Sequence, residues 1–256
     1  MLQIHAVPAF KDNYLWVLAD GPHAAVVDPG DAAPIERFLA ENGLTLDAIL
    51  ATHHHGDHVG GLLALASHWK CPVWGPAGED IEGLGTRLVE GDRIHVPGIE
   101  IELDVLDVPG HTAGHIAYVD TLKEFVFCGD TLFACGCGRL FEGTPEQMVE
   151  SLAKLARLPG DTRMYCGHEY TLANIRFALA VEPGNVALDR RQARDAARRG
   201  RGEPTLPATL EEEKATNPFL RCAEPEVVAS AERRAGRKLP DHVAVFTEIR
   251  NWKNTF

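Results

Sequence analysis

No apolar run in these 256 residues approaches the roughly 20 that a membrane-spanning helix needs. The opening stretch, MLQIHAVPAFKDNY, also lacks the basic-then-apolar pattern of a signal peptide. From these two absences the expected location is the cytoplasm. Positive charge is scarce: 25 Lys and Arg stand against 37 Asp and Glu, a formal net charge of −12. That balance argues against nucleic acid or an anionic membrane as a partner. Cysteine is sparse too. Six cysteines in a chain long enough to bury a sizeable core do not read as a disulfide scaffold, and reduced thiols are expected. The chain has no internal repeat and no low-complexity segment. With 45% hydrophobic and 24% charged residues it is globular, as one ordinary domain or two small ones.

The charge is uneven. Residues 1–168 hold 10 Lys and Arg against 24 Asp and Glu, a balance of −14, while residues 169–256 hold 15 against 13, a balance of +2. Ten of the twelve histidines lie at or before position 115. An acidic, His-rich part suits cations, and a more basic part suits an anion.

The first two-thirds alternates short β-type runs with Gly, Pro and Asp. Tyr14–Ala19 and Ala24–Asp28 read as paired strands around Asp20-Gly21-Pro22. Ala33–Asn42 has helical spacing and stops at Gly43. Asp47–Thr52 reads as a strand and Gly60–Trp69 as a helix; Ile99–Val108, Phe125–Cys128 and Met164–Cys166 read as further strands. After Thr171 helical periodicity takes over at 171–181, 186–199, 209–215, 225–236 and 241–252, broken by Gly184, Pro204, Pro207, Pro218 and Pro240. The boundaries expected are a mixed β/α domain over 1–170 and a helical domain over 171–256.

Thr52-His53-His54-His55-Gly56-Asp57-His58 packs potential ligands directly after an apolar strand. Neutral imidazoles with a carboxylate suit zinc, or iron or manganese. Three more strands end the same way: His111 in Pro109-Gly110-His111-Thr112, Asp130 in Cys128-Gly129-Asp130-Thr131, and His168 in Cys166-Gly167-His168-Glu169. Four strands thus each run into a glycine-containing loop that presents a ligand type. Open α/β sheets place ligands at this edge.

The Thr-His-x-His-x-Asp-His run with downstream His, Asp and His resembles the metallo-β-lactamase superfamily. The likeness extends along nearly the whole chain to its hydroxyacylglutathione hydrolase (glyoxalase II) family. It is carried by His111–His115, Gly129–Phe133, Gly136–Thr144, Tyr165–Thr171, Val181–Asn185 and Asn217–Arg221. The resemblance implies a four-layer αββα sandwich followed by a small all-helical C-terminal domain. It implies a binuclear site, with His53, His55 and His111 on one metal, Asp57, His58 and His168 on the other, and Asp130 bridging both. The two divalent ions would be zinc ahead of iron or manganese. Asp57 and Asp130 would be catalytic, Asp57 also accepting a hydrogen bond that aims the bridging hydroxide, and Asp28 would orient a ligand imidazole from beneath.

The implied reaction is hydrolysis of S-D-lactoylglutathione and related S-2-hydroxyacylglutathiones, the second step of methylglyoxal detoxification. A thiolate with a conjugate pKa of about 8.5 leaves without a strong general acid. By the same resemblance Arg139, Tyr170, Arg250 and Lys253 contact the glutathione part of the substrate, the last two at the glycine carboxylate. Phe141 stands where some members have tyrosine, which removes a hydroxyl contact of about 0.5–1.5 kcal/mol. Arg139 stands where some have lysine, keeping charge but not geometry. A monomer is expected, with a small-molecule thioester as partner.

The remaining candidates read as ordinary structure. His5, His23, His68, His95 and His242 read as polar side chains on the surface, His54 is expected to point away from the metals, and His115 to brace the His111 loop. Cys135-x-Cys137 lacks the two-residue spacer of a metal or redox pair, and the Arg190–Arg201 run reads as a solvated helix face. The alternative function is a glutathione persulfide dioxygenase with a single iron on two histidines and an aspartate. It is disfavoured by Asp57, His58 and His168 together with Arg250 and Lys253. A metallo-nuclease would need a basic channel that the −14 part does not offer, and a non-catalytic binder would not need every ligand position filled.

Overall fold

The computed structural model describes residues Met1–Phe256. The first sheet has six strands in chain order: β1 (Gln3–Ala9), β2 (Asn13–Asp20), β3 (His23–Val27), β4 (Thr45–Leu50), β5 (Val73–Pro76) and β6 (Thr86–Leu88). Helices α1 (Ala32–Asn42), the single turn α2 (Gly56–Val59) and α3 (Leu62–Trp69) connect them. Side-chain alternation sets the layers. On β2, Trp16 and Leu18 point to the second sheet, while Leu15 and Val17 point outward to Ile35 and Leu39 of α1 and Leu62 and Leu65 of α3. Both faces are dry, so β2 and β3 read as unbroken apolar runs.

Local chemistry explains the connections. Gly21, at φ 58°, fills the first central position of the two-residue loop between β2 and β3, where a primed hairpin turn needs a left-handed residue. Asp31 caps α1 by accepting from Ala33 N at 3.0 Å, and Gly43 ends it in the left-handed conformation. On β4 the register slips past Asp47, so Leu46 and Ile49 both face the helices while Ala48 and Leu50 face inward.

The second sheet is formed by β7 (Arg93–His95), β8 (Glu102–Asp107), β9 (Ile116–Asp120) and β10 (Phe125–Gly129). A small hairpin, β11 (Leu132–Phe133) and β12 (Gly136–Cys137), leads to α4 (Pro145–Ala156), followed by β13 (Arg163–Cys166). Helices α5 (Thr171–Val181) and α6 (Val186–Gly200) precede β14 (Ala208–Thr209), and α7 (Leu210–Thr216), α8 (Pro225–Ala235) and α9 (His242–Asn254) complete the chain. The spatial order is β14-β13-β10-β9-β8-β7. The core between the sheets contains Trp16, Leu18, Tyr118, Phe125 and Phe127 and continues through Met148, Leu152 and Leu155 of α4 to Phe246 and Ile249 of α9. Each such apolar side chain contributes about 1.5–3 kcal/mol on burial. The architecture is the four-layer αββα sandwich with a helical C-terminal part.

Two features depart from the expectations. The helical part is not all-helical: β14 pairs with β13 and extends the second sheet. Nor is the arginine run of α6 wholly a solvated face. Arg191 is buried, donating to Glu213 Oε1 at 2.5 Å and Thr216 Oγ1 at 2.6 Å and facing Asp195 at 3.4 Å. Glu213 also accepts from Cys135 N, and Asn217 donates to the carbonyls of Phe133 and Gly136. The C-terminal helices thereby grip the β11–β12 hairpin that follows Asp130.

Candidate metal centre

Strand direction explains how ligands far apart in sequence meet. β9 is antiparallel to both β8 and β10, and β10 is parallel to β13, so β8, β10 and β13 all end at one edge of the second sheet. His111, Asp130 and His168 leave from those three ends. The loop after β4 joins them because Ile116 N donates to Thr52 O at 3.0 Å. The approach requires glycine: a Cβ on Gly129 would lie 2.4 Å from Thr52 Oγ1, and one on Gly167 would lie 2.5 Å from His58 Cε1 and 2.6 Å from Asp130 Oδ1.

Two donor trios result, His53 with His55 and His111, and Asp57 with His58 and His168, the atoms of each within 4.8 Å of one another. In the first, His55 Nδ1 lies 3.2 Å from His53 Nε2 and 3.1 Å from His111 Nε2. In the second, Asp57 Oδ2 lies 3.6 Å from His58 Nε2 and 3.4 Å from His168 Nε2. Asp130 stands between them, with Oδ1 3.4 Å from His58 Nε2 and Oδ2 3.4 Å from His111 Nε2 and 3.3 Å from His168 Nε2. All seven expected ligand residues therefore converge.

The chemistry of this set fits cations. His58 Nε2 and Asp130 Oδ1 are buried without a hydrogen-bond partner, a costly arrangement unless something else engages them. Burial and the neighbouring imidazoles push His53 well below the ordinary histidine range, leaving the neutral form that ligation needs. Burial alone would lower His58 as well, but Asp130, Asp28 and Asp57 outweigh it and raise it to about 9. Asp130 shows the converse: burial would raise it, yet His58, His168 and His111 hold it below the ordinary carboxylate range.

The surroundings orient the donors. Asp28, at φ 55°, accepts from Thr52 N at 2.7 Å and Thr52 Oγ1 at 2.8 Å and faces His58 Nδ1 at 3.0 Å. His111 Nδ1 lies 2.8 Å from the carbonyl of Arg139. His54 turns away from the trios, to Glu79 and Glu142. His115 braces the His111 loop as expected, its carbonyl accepting from Val108 N at 2.8 Å, and its ring braces a second loop: Nε2 accepts from Asp130 N at 3.1 Å and the ring stacks on His53.

Glu79 carries no mark in the sequence. Its buried carboxylate accepts from His54 N, His54 Nδ1, Thr112 Oγ1 and Gly114 N, tying the His53–His55 loop to the His111 loop. Asp12 and Asn13 are equally unmarked in the sequence. Asp12 Oδ1 lies 2.9 Å from His168 Nδ1, and Asn13 Nδ2 donates to Asp57 Oδ2 at 2.9 Å.

A cavity of about 620 Å³ opens above the trios, and Arg139, Phe141, Tyr170, Arg250 and Lys253 all line it. The Tyr170 ring lies parallel to that of His168 at 4.6 Å. Phe141, largely exposed, packs against His55 and His111. Arg250 is buried, donates to Cys137 O at 2.8 Å and leaves its Nε without a partner. Burial, with Arg250 and Arg176 nearby, pushes Lys253 down to about 8. All six cysteines are free thiols, and burial raises Cys135 to about 12 and Cys137 above its ordinary value.

An αββα sandwich with two His/Asp trios at the shared sheet edge defines a metal-binding protein of the metallo-beta-lactamase class. The profile of the metallo-beta-lactamase superfamily matches residues 11–168, and that of the hydroxyacylglutathione hydrolase C-terminus matches residues 169–256. The chain belongs to the hydroxyacylglutathione hydrolase family of that superfamily. It is 56% identical over 266 residues to a hydroxyacylglutathione hydrolase of Cupriavidus taiwanensis, covering 100% of both chains. It is also 56% identical over 256 residues to one of Alkalilimnicola ehrlichii, covering 99% of both. Among solved structures, ETHE1 from Myxococcus xanthus shares the fold at TM-score 0.66 and 23% identity, over 100% of this chain and 99% of that one. TTHA1623, crystallised in a di-iron-bound form, gives TM-score 0.54 at 29% identity, over 65% of this chain and 91% of that one.

Proposed function

We propose that the protein hydrolyses the thioester of S-D-lactoylglutathione and related S-2-hydroxyacylglutathiones, giving the 2-hydroxy acid and glutathione, at a centre of two divalent cations. In a cell this is the second step of methylglyoxal detoxification. The observation that carries the reading is that one cavity joins both donor trios to two cations of the last helix, Arg250 and Lys253. The identity to relatives named hydroxyacylglutathione hydrolase over the whole chain supports it.

His53, His55 and His111 would hold one cation, Asp57, His58 and His168 the other, and Asp130 would reach both; zinc suits this donor set, as do iron and manganese. Two such cations supply water acidified to react at neutral pH and polarise a carbonyl oxygen. Asp57 adds an acceptor at the cavity wall, placed to receive a proton or aim a water O–H. No protein nucleophile is needed: the six thiols are free, and burial pushes Cys135 and Cys137 above the ordinary range. Binding falls to the other wall. The unpartnered Arg250 Nε and the Lys253 ammonium meet the terminal carboxylate, Tyr170 offers its hydroxyl, and Arg139 closes the rim. Phe141 contributes an apolar face only.

The test is thioester loss from S-D-lactoylglutathione by the purified protein, with metal content determined on the same sample. Hydrolysis with two ions per chain is expected, and Asp130→Ala should lower the stoichiometry below two and abolish turnover. Full loading without hydrolysis would refute the substrate. Near-normal turnover by Asp130→Ala would refute the two-cation scheme.

A further inference from the structure

The two donor trios are supported in unlike ways. Behind the His53–His55–His111 trio stand neutral acceptors close in the chain or in the adjoining loop: Thr52 Oγ1 at 3.0 Å from His53 Nδ1, and Arg139 O behind His111. Behind the Asp57–His58–His168 trio stand carboxylates and an amide. Asp28 backs His58, Asp12 backs His168, and Asn13 donates to Asp57. Two of these three supports come from adjacent residues at the junction of β1 and β2, Asp12 in the turn and Asn13 opening β2, forty or more positions from any donor. Neither residue makes a hydrogen bond to a member of the first trio.

We infer that the Asp12-Asn13 turn is a dedicated support of the Asp57–His58–His168 trio, and that these two positioning residues set the affinity for one of the two cations and leave the other untouched. The inference rests on the two-cation reading given above.

The turn is built for this task. Tyr14 N donates to Gly167 O at 2.9 Å, Glu169 N donates to Asp12 O at 2.8 Å, and Asn13 bridges His168 in antiparallel fashion. The main chain of the turn is thus zipped to the His168 loop on its own account. Tyr14 OH adds a bond to Glu169 at 2.8 Å. The side chains of Asp12 and Asn13 are then free to act on the donors. A carboxylate on Nδ1 fixes the tautomer that leaves Nε2 bare for a cation and raises its basicity. The Asn13 amide, buried and held beside the Asp57 main chain, fixes which Asp57 oxygen turns toward His58 and His168. Because the zip is made by main-chain atoms, removing either side chain leaves the local fold standing.

The experiment starts from chelator-treated full-length protein and titrates zinc, and separately cobalt, following stoichiometry and dissociation constants by equilibrium dialysis. Wild type should take up two ions. Asp12→Ala should keep one ion at wild-type affinity and weaken the other by about 10–100-fold. Asp12→Asn, whose amide oxygen still accepts from Nδ1, should recover most of that loss, and Asn13→Ala should weaken the same ion. Two backgrounds locate the effect. With His55→Ala, the remaining ion should be weakened by Asp12→Ala; with His168→Ala, Asp12→Ala should change nothing. Equal weakening of both ions, or of neither, would overturn the inference, as would a failure of Asp12→Asn to recover affinity. A wild-type protein that binds a single ion would instead overturn the two-cation reading, and the two failures are told apart by that first titration. If Asp12→Ala does not fold, Asn13→Ala on the two backgrounds reads the same split.

Discussion

Replacing Glu79 with alanine should destabilise the protein before any ion is bound, by an amount that follows from its four donors. His54 N at 2.7 Å, Gly114 N at 3.1 Å, Thr112 Oγ1 and His54 Nδ1 all end on this carboxylate, whose side chain is 1% exposed. His54 is partly exposed and its ring can turn to water. The two main-chain N–H groups and the buried Thr112 hydroxyl have no such escape, and an abandoned buried donor costs about 1–3 kcal/mol. Half-burial of His54 and Gly114 places them low in that range, and removing a buried carboxylate returns part of its own desolvation cost. The net loss should be about 2–4 kcal/mol. For a domain of this size that lowers Tm by roughly 4–16 °C.

Glu79→Gln separates hydrogen bonding from packing. Its amide keeps one acceptor oxygen for His54, and Thr112 can rotate to accept from the new NH₂, so only Gly114 N is stranded and the loss should be about 1–2 kcal/mol. The assay is urea unfolding of chelator-treated protein, so that no bound ion adds to the stability of one variant and not another. An alanine variant within 1 kcal/mol of wild type, or a glutamine variant as damaged as the alanine one, would refute the reasoning.

Two further outcomes are expected. Lys253 is half-buried and held down to about 8, so its ammonium is lost as pH rises through that value. KM for the glutathione thioester should be steady below about pH 7.5 and climb above pH 8 with kcat little changed; Lys253→Met should raise KM at low pH to the level that wild type reaches at high pH and remove the climb, and a persistent climb would point to another group. Arg191→Met should cost about 3–5 kcal/mol in urea unfolding, because Glu213 is left buried without its cationic partner while Asp195 keeps only Arg194. A loss under 1 kcal/mol there would show that the helix network relaxes around the missing charge.

The donors were legible because a strand running into a glycine-containing loop is a local pattern. Four such places could be found without knowing how the strands pair. The C-terminal helices were legible for the same reason: 3.6-residue periodicity and proline breaks are written in consecutive residues. Helix α4 has no counterpart among the expected helices, although Thr144 and Gln147 form a reciprocal capping box and Pro145 opens the first turn. Short strands such as β5, β6, β11 and β12 carry two to four residues each, too few for alternation to show.

Spacing along the chain was enough to show which residues could act as donors, that an acidic His-rich part precedes a helical one, and where most of the helices lie. Which side chains stand behind the donors depends on the packing of strands and helices. Glu79, Asp12, Asn13 and the buried Arg191 lie on turns and helix faces whose local sequence is that of ordinary polar surface. Apart from Asp195, four residues from Arg191, the partners named for them are between 22 and 156 positions away. Whether a carboxylate is solvated or buried against an imidazole depends on which strands pair and in what direction, and no window of neighbouring residues contains that information.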